Sequence, residues 1–222
     1  MKTPLRTISR AVGAGFTLVE LLAVILIIGI LGTFLLPKIP EVIDRAKVTA
    51  CKANMKEIGN GLLMHRSTFN DRIPKASGAK FLASLVSREV WDATEASTKK
   101  LTCPGVDLDF LTPSRDGIPL EDWYVELGRV GSDWTSYAGR DMKRFPIRNL
   151  DGKNVGKEAL VSDDNDGGAN HRTDTVVLYG DNAVRALNVV DEREAGNATP
   201  EDEFIIVGPE SWREDLRKLS LD

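Results

Sequence analysis

Few side chains in this sequence could do chemistry, and most of them are isolated. From Phe16 to Leu36 the chain is almost wholly apolar, and Glu20 is the one charged side chain in those 21 residues. The chain's two cysteines are Cys51 and Cys103 and its two histidines His65 and His171, while Ser162-Asp163-Asp164-Asn165-Asp166-Gly167-Gly168 gathers three carboxylates in one loop. Hydrolytic chemistry finds little support. There is no Gly-x-Ser-x-Gly elbow and no His-Glu-x-x-His metal motif, and His171 beside an acidic loop reads as a turn residue before it reads as a base. An ionised carboxylate inside an apolar helix is the sharper anomaly, because it needs a partner wherever water is excluded.

The element that carries Glu20 is a membrane span. At about 1.5 Å per residue, 21 helical residues cover roughly 30 Å, the thickness of a bilayer's hydrocarbon core. Lys2, Arg6 and Arg10 precede it without an acid, which keeps that end cytoplasmic and places everything after Leu36 on the exported side. The small residues Gly13-Ala14-Gly15 stand before the apolar run, whereas a secretory signal places them after it. A cut after Gly15 would remove the basic leader, keep the helix, and create an α-ammonium on Phe16. That ammonium could pair with Glu20 of a neighbouring subunit and set the axial offset between packed helices.

Gly15-Phe16-Thr17-Leu18-Val19-Glu20-Leu21 resembles the processing site of type IV pilins and type II secretion pseudopilins. The resemblance covers about residues 13–45. It implies that a membrane prepilin peptidase cleaves between Gly15 and Phe16 and methylates the new Phe16 amine, that Glu20 directs assembly, and that Pro37 kinks the helix. It further implies homo-oligomers or mixed assemblies with other pseudopilins, working with an inner-membrane assembly platform.

On the exported side two thiols meet oxidising conditions, so a Cys51–Cys103 disulfide is expected, with two buried free thiols as the alternative. Closing the 51 intervening residues would stabilise the fold by roughly 4 kcal/mol in the loop-entropy picture. Zinc is not expected, since the spacing of the two cysteines and two histidines matches no usual site. The loop carrying Asp163, Asp164 and Asp166 invites a calcium reading beside that of a solvated turn, and no other cofactor is implied. It is not an EF-hand: counted from Ser162, the twelfth position is Thr173 where the motif needs a bidentate Glu.

The remaining sequence predicts an α+β chain: a leader over 1–15, a span over 16–36, an amphipathic continuation over 37–65, and a globular head over 66–222. Without the leader, 26 basic residues face 33 acidic ones, a net charge of −7, so no nucleic-acid partner is expected. Ile39, Ile43, Ala46, Ala50, Ala53, Ile58 and Leu62 mark one helix face, with Gly59 and Gly61 expected to fray it towards an Asn70-Asp71 turn. A short helix is expected over 79–91, a polar linker over 95–100, and an irregular region over 106–149 with Trp123, Tyr124, Trp134 and Tyr137 as its core. Residues 175–179 and 183–189 read as a hairpin around Gly180-Asp181-Asn182, 204–207 as a third strand, and Ser211-Trp212-Arg213-Glu214 as the start of a last helix.

The blocks Cys51 to Gly59, Cys103-Pro104, Ser136 to Gly139, Gly167 to His171 and Tyr179 to Arg185 are together similar to a pseudopilin-like family abundant in planctomycetes, which typically has Asp-Gly where this chain has Asp181-Asn182. These resemblances imply a non-enzymatic, pilin-like structural subunit of the inner membrane, its amino terminus cytoplasmic and its head periplasmic, built into a pseudopilus that supports protein export. The competing expectation is an anchored or filament-tip binding module for adhesion or for DNA or polysaccharide uptake.

Overall fold

The structure, a computed structural model, describes residues 16–148, 150, 152–163 and 169–222. It divides into two compact units, one reaching to Val42 and the other spanning Ile43–Asp222.

In the first unit, α1 (Leu18–Leu35) has no buried residue. Its start is set by Thr17 and Glu20. The Thr17 hydroxyl accepts the Glu20 N–H at 3.2 Å, and Glu20 Oε2 accepts the Thr17 N–H at 2.8 Å, a reciprocal capping box. The helix ends at a 3₁₀ turn over Leu36–Lys38, where Pro37 lacks the N–H that a continuing α-helix requires. The kink expected at Pro37 is thus a single tightened turn. The next helix, α2 (Ile39–Thr68), begins with Pro40 in its first turn, where a missing N–H costs nothing.

From Val48 onward one face of α2 is covered: Val48, Cys51, Met55, Ile58 and Leu62 are buried at the three- and four-residue spacing of a helix face. Gly59 and Gly61 do not fray it. A Cβ on Gly61 would stand 2.9 Å from Trp91 Cζ2, and one on Gly59 would stand 3.1 Å from Leu178 Cδ1, so these glycines admit close neighbours to the helix. The helix stops where Asn70 and Asp71 turn left-handed, at φ 53° and 60°.

α3 (Ala79–Ser87) buries Phe81, Leu82, Leu85 and Val86. Residues 95–100, expected as a linker, form α4 (Glu95–Lys100). The Thr94 hydroxyl caps it by accepting the Ser97 N–H, with Glu95 in its first turn and Lys99 and Lys100 in its last, the polarity that a helix dipole favours. The region expected to be irregular holds the single turn α5 (Thr112–Arg115) and several 3₁₀ turns, and also one strand, Tyr137–Arg140. Trp123, Tyr124, Trp134 and Tyr137 are core, as expected; Trp123 Nε1–H reaches Ile118 O at 2.9 Å and the Tyr124 hydroxyl donates to Trp134 O at 2.6 Å.

Five antiparallel strands make the sheet: β1 (Tyr137–Arg140), β2 (Ala159–Asp163), β3 (Asp174–Tyr179), β4 (Val184–Asn188) and β5 (Leu219–Ser220), in the order β4-β3-β2-β1-β5. The expected hairpin is present, with Val176 opposite Ala186, and Asn182 supplies its left-handed residue at φ 62°. Alternation along β3 divides the core. Val176 and Leu178 pack with α2 and α3, whereas Val177 and Tyr179 join a second cluster with Val189, Ile205, Leu216 and Leu219. Val189 opens α6 (Val189–Glu194).

Two expectations fail at the carboxyl end. Residues 204–207 form no strand, although Ile205 is buried in the second cluster. No helix opens at Ser211: its hydroxyl accepts the Arg213 N–H at 3.2 Å, but a 3₁₀ turn over Leu216–Lys218 then leads directly into β5 on the edge of β1. The fold is an α+β, pilin-like arrangement of a long amino-terminal helical stretch and a small antiparallel sheet.

Candidate functional site

Two places carry the chemistry. At the start of α1, Phe16 is exposed and the Glu20 carboxylate is held by the Thr17 N–H and, through the same Oε2, by the Thr17 hydroxyl at 2.8 Å. Gly15 lies outside the described residues. The stretch Leu18–Thr68 contains a window long and apolar enough to cross a membrane, none of it buried in the structure. An exposed apolar surface of that length is stable only against lipid or other helices.

The second place lies inside the sheet-bearing unit. Cys51 comes from the buried face of α2, Cys103 from the loop after α4, Asp163 from the last position of β2, and His171 from the loop that leads into β3. One side-chain donor atom from each lies within 4.8 Å of the other three, and every one of the four residues is buried. Cys51 Sγ donates to Asp163 Oδ1 at 3.1 Å, and the Tyr137 hydroxyl lies 3.5 Å from the same sulfur. His171 Nε2 is 3.3 Å from Cys103 Sγ and 3.5 Å from Asp163 Oδ2. Around this core the Gly105 N–H points at Cys103 Sγ (3.3 Å), the Val176 N–H donates to Asp163 Oδ2 (2.8 Å), and Asp44 Oδ1 stands 3.8 Å from His171 Nδ1.

Crowding sets the protonation of the four groups. The Cys51 thiol draws Cys103 down to about 5, and the His171 ring adds to this against the cost of burial. The Cys103 sulfur, burial and the Asp163 carboxylate push Cys51 well above the usual thiol range. Burial, then the neighbouring Cys103 charge, raises Asp163. Burial opposes ionisation of His171, but the Cys103 sulfur, Asp163 and Asp44 outweigh it and raise the imidazole. Among the described residues the four groups are enclosed, none of them more than 2% exposed.

Both cysteines are free thiols in this arrangement. Asp163 was read as part of an acidic loop, either a solvated turn or a calcium loop; its carboxylate is buried against the Cys51 sulfur and the Val176 amide, and Asp164 and Asp166 lie outside the described residues. His65, the other histidine, is elsewhere, its Nδ1 2.8 Å from Arg72 O. Sequence reasoning set zinc aside for want of a familiar spacing; the fold brings together, from four separate segments, four groups of types that could hold a metal ion.

The fold is a pilin-like α+β arrangement, and its long amino-terminal helical stretch includes a window long and apolar enough to cross a membrane. Over 53 residues the chain is 40% identical to the type II secretion system core protein G of Pseudomonas aeruginosa, a stretch equal to 24% of this chain. The chain covers 37% of that protein's length. No family model matches the chain, and no solved structure does.

Proposed function

We propose that the chain is a non-enzymatic structural subunit of a type II secretion pseudopilus, packed into the filament by its amino-terminal helix. The observation that carries this reading is the exposed apolar helix α1, interrupted only by Glu20 beside the expected cleavage point; the 53-residue similarity to a type II secretion core protein supports it. Cleavage after Gly15 by a prepilin peptidase would free the Phe16 amine, and methylation would leave it a cation. A neighbour's Glu20 would then exchange its local Thr17 contacts for that ammonium, and burial between helices would strengthen the pair. The subunit would wait in the inner membrane with its head in the periplasm, and would assemble with copies of itself or other pseudopilins on the inner-membrane platform. The order of the head's sequence blocks further aligns it with the pseudopilin-like family of planctomycetes.

The test is amino-terminal sequencing with intact mass, on the native chain and on Glu20→Ala. The native chain should begin with N-methyl-Phe16, and Glu20→Ala should be cleaved equally but be absent from sheared or cross-linked filaments. An uncut chain, or filaments of normal yield from Glu20→Ala, would overturn the assignment.

A further inference from the structure

We infer that Cys51, Cys103, Asp163 and His171 form a closed, structural site for one zinc-like transition-metal ion that ties α2 to the sheet. This goes beyond the filament reading and holds whether or not the chain assembles.

The donor set is the first argument. Two thiols, an imidazole and a carboxylate suit zinc and its neighbours in the first transition row, whereas calcium and magnesium take oxygen ligands. Geometry agrees. A tetrahedron with metal–ligand bonds of about 2.0–2.3 Å has edges of roughly 3.3–3.8 Å. Cys103 Sγ and His171 Nε2 are 3.3 Å apart, Asp163 reaches Cys51 through Oδ1 at 3.1 Å and His171 through Oδ2 at 3.5 Å, and one donor atom from each residue lies within 4.8 Å of the others, so presenting a single carboxylate oxygen asks only side-chain adjustment to reach that shape. Four protein ligands leave no open position, which marks a structural rather than a catalytic centre.

Burial is the second argument. Cys51 and Asp163 are 0% exposed, Cys103 1% and His171 2%, so four donor atoms converge in one interior enclosure. Buried polar groups are costly unless they are paired or coordinate a metal. A divalent metal would pair all four at once, and on binding it displaces the thiol protons to solvent.

The outer contacts are the third. Three of the ligands are already held from behind: Cys51 by Tyr137, Cys103 by the Gly105 amide and Asp163 by the Val176 amide. His171 Nδ1 is buried without a hydrogen bond, and Asp44 stands just beyond bonding distance from it. Metal on Nε2 would fix the proton on Nδ1 and aim it at Asp44, the carboxylate–histidine–metal arrangement that orients a ligand. Gly105 belongs to the same frame: a Cβ there would run into the Asn170 carbonyl, immediately before His171.

The experiment is elemental analysis of the full chain purified in detergent without chelator, followed by exchange of the metal for Co2+. About one zinc per chain, and a cobalt form with tetrahedral d–d bands and sulfur-to-cobalt charge transfer, is the expected result. His171→Ala and Cys103→Ser should lose at least 100-fold in zinc affinity, and Asp44→Asn, which alters only the support of His171, about 10- to 100-fold. Asp163→Asn keeps the shape of the site should the cysteine variants fail to fold, and should alter the cobalt spectrum. A native chain two hydrogens lighter and without reactive thiols would show a Cys51–Cys103 disulfide and overturn the proposal. Free thiols that bind neither zinc nor cobalt, or cobalt bound without a sulfur band, would overturn it equally.

Discussion

Replacing Gly139 with Ala should loosen the head by overpacking α3 against β1. Gly139 lies in β1, opposite Val161 of β2 and Ser220 of β5. A Cβ there would stand 3.0 Å from the Gly78 carbonyl carbon and 3.1 Å from Phe81 Cβ, with the Gly78 oxygen closer still. Gly78 cannot easily retreat, because it begins α3, its N–H donates to Arg140 O and its carbonyl accepts the Phe81 N–H. Relief therefore means lifting α3 from β1 by roughly 1 Å, which forfeits a large part of the dispersion contact beneath Phe81. Overpacking costs about 1–3 kcal/mol, and a clash with backbone belongs at the upper end. Gly128→Ala is the matched control, since its Cβ meets nothing within 4 Å. Both exchanges narrow the unfolded ensemble alike, so the difference between them isolates the folded contact. That difference should be about 3 kcal/mol, or roughly 6–12 °C in melting temperature for a unit of about 180 residues. Melting of the detergent-solubilised chain, followed by near-UV circular dichroism, is the assay. A Gly139→Ala midpoint equal to that of Gly128→Ala would show that α3 does not seat on β1 as described.

Two further outcomes follow from the same packing. Gly61→Ala gains up to about 1 kcal/mol of helix propensity but meets the Trp91 ring, so a net loss of about 1 kcal/mol is expected in urea titration, and pairing it with Trp91→Leu should turn the loss into a gain. Glu158 is bound by Arg140 Nη1 at 2.8 Å and Lys218 Nζ at 3.0 Å; burial favours its neutral form, but these two cations outweigh burial and lower its pKa. A lowered carboxylate contributes stability that is fully present above its unfolded pKa of about 4.3 and is lost as pH falls through the folded value. Glu158→Gln should therefore cost about 2 kcal/mol at pH 7, and the gap from the native chain should close below about pH 4 in stability measurements across pH.

What could be read from the sequence follows the range of the interactions involved. The apolar run to Leu36 and the β3–β4 hairpin rest on composition, period and a turn residue, all of them local, and each stands where it was expected. β1 and β2 were not seen because every one of their residues is buried, so neither shows the alternation that marks a one-faced strand. Residues 204–207 have the composition of a strand, yet Ile205 fills the second cluster without joining the ladder. Gly59 and Gly61 were misread for the same reason: their effect lies in Leu178 and Trp91, which no local pattern brings near. The four-residue cluster is the extreme case, its members separated by up to 120 positions, and only the sheet register and the seating of α2 bring them together.

That seating explains why the cluster falls where it does. Residues of α2 before Val48 have no buried face, Val48 is the first to be covered, and Cys51 follows one turn later. The first buried turns of a helix are the easiest to lift, because they have packing on one side along the axis only. Asp44 and Cys51 both act at this point, one behind His171 and the other beside Asp163. A metal held there would oppose lifting where the apolar face is narrowest, so its removal should expose amides around residues 44–55 to exchange before those near Ile58 and Leu62. On the proposed filament reading, this is the end of the head through which load would enter. Hydrophobic burial increases along α2 only beyond that point, and four directional bonds would hold where surface area cannot.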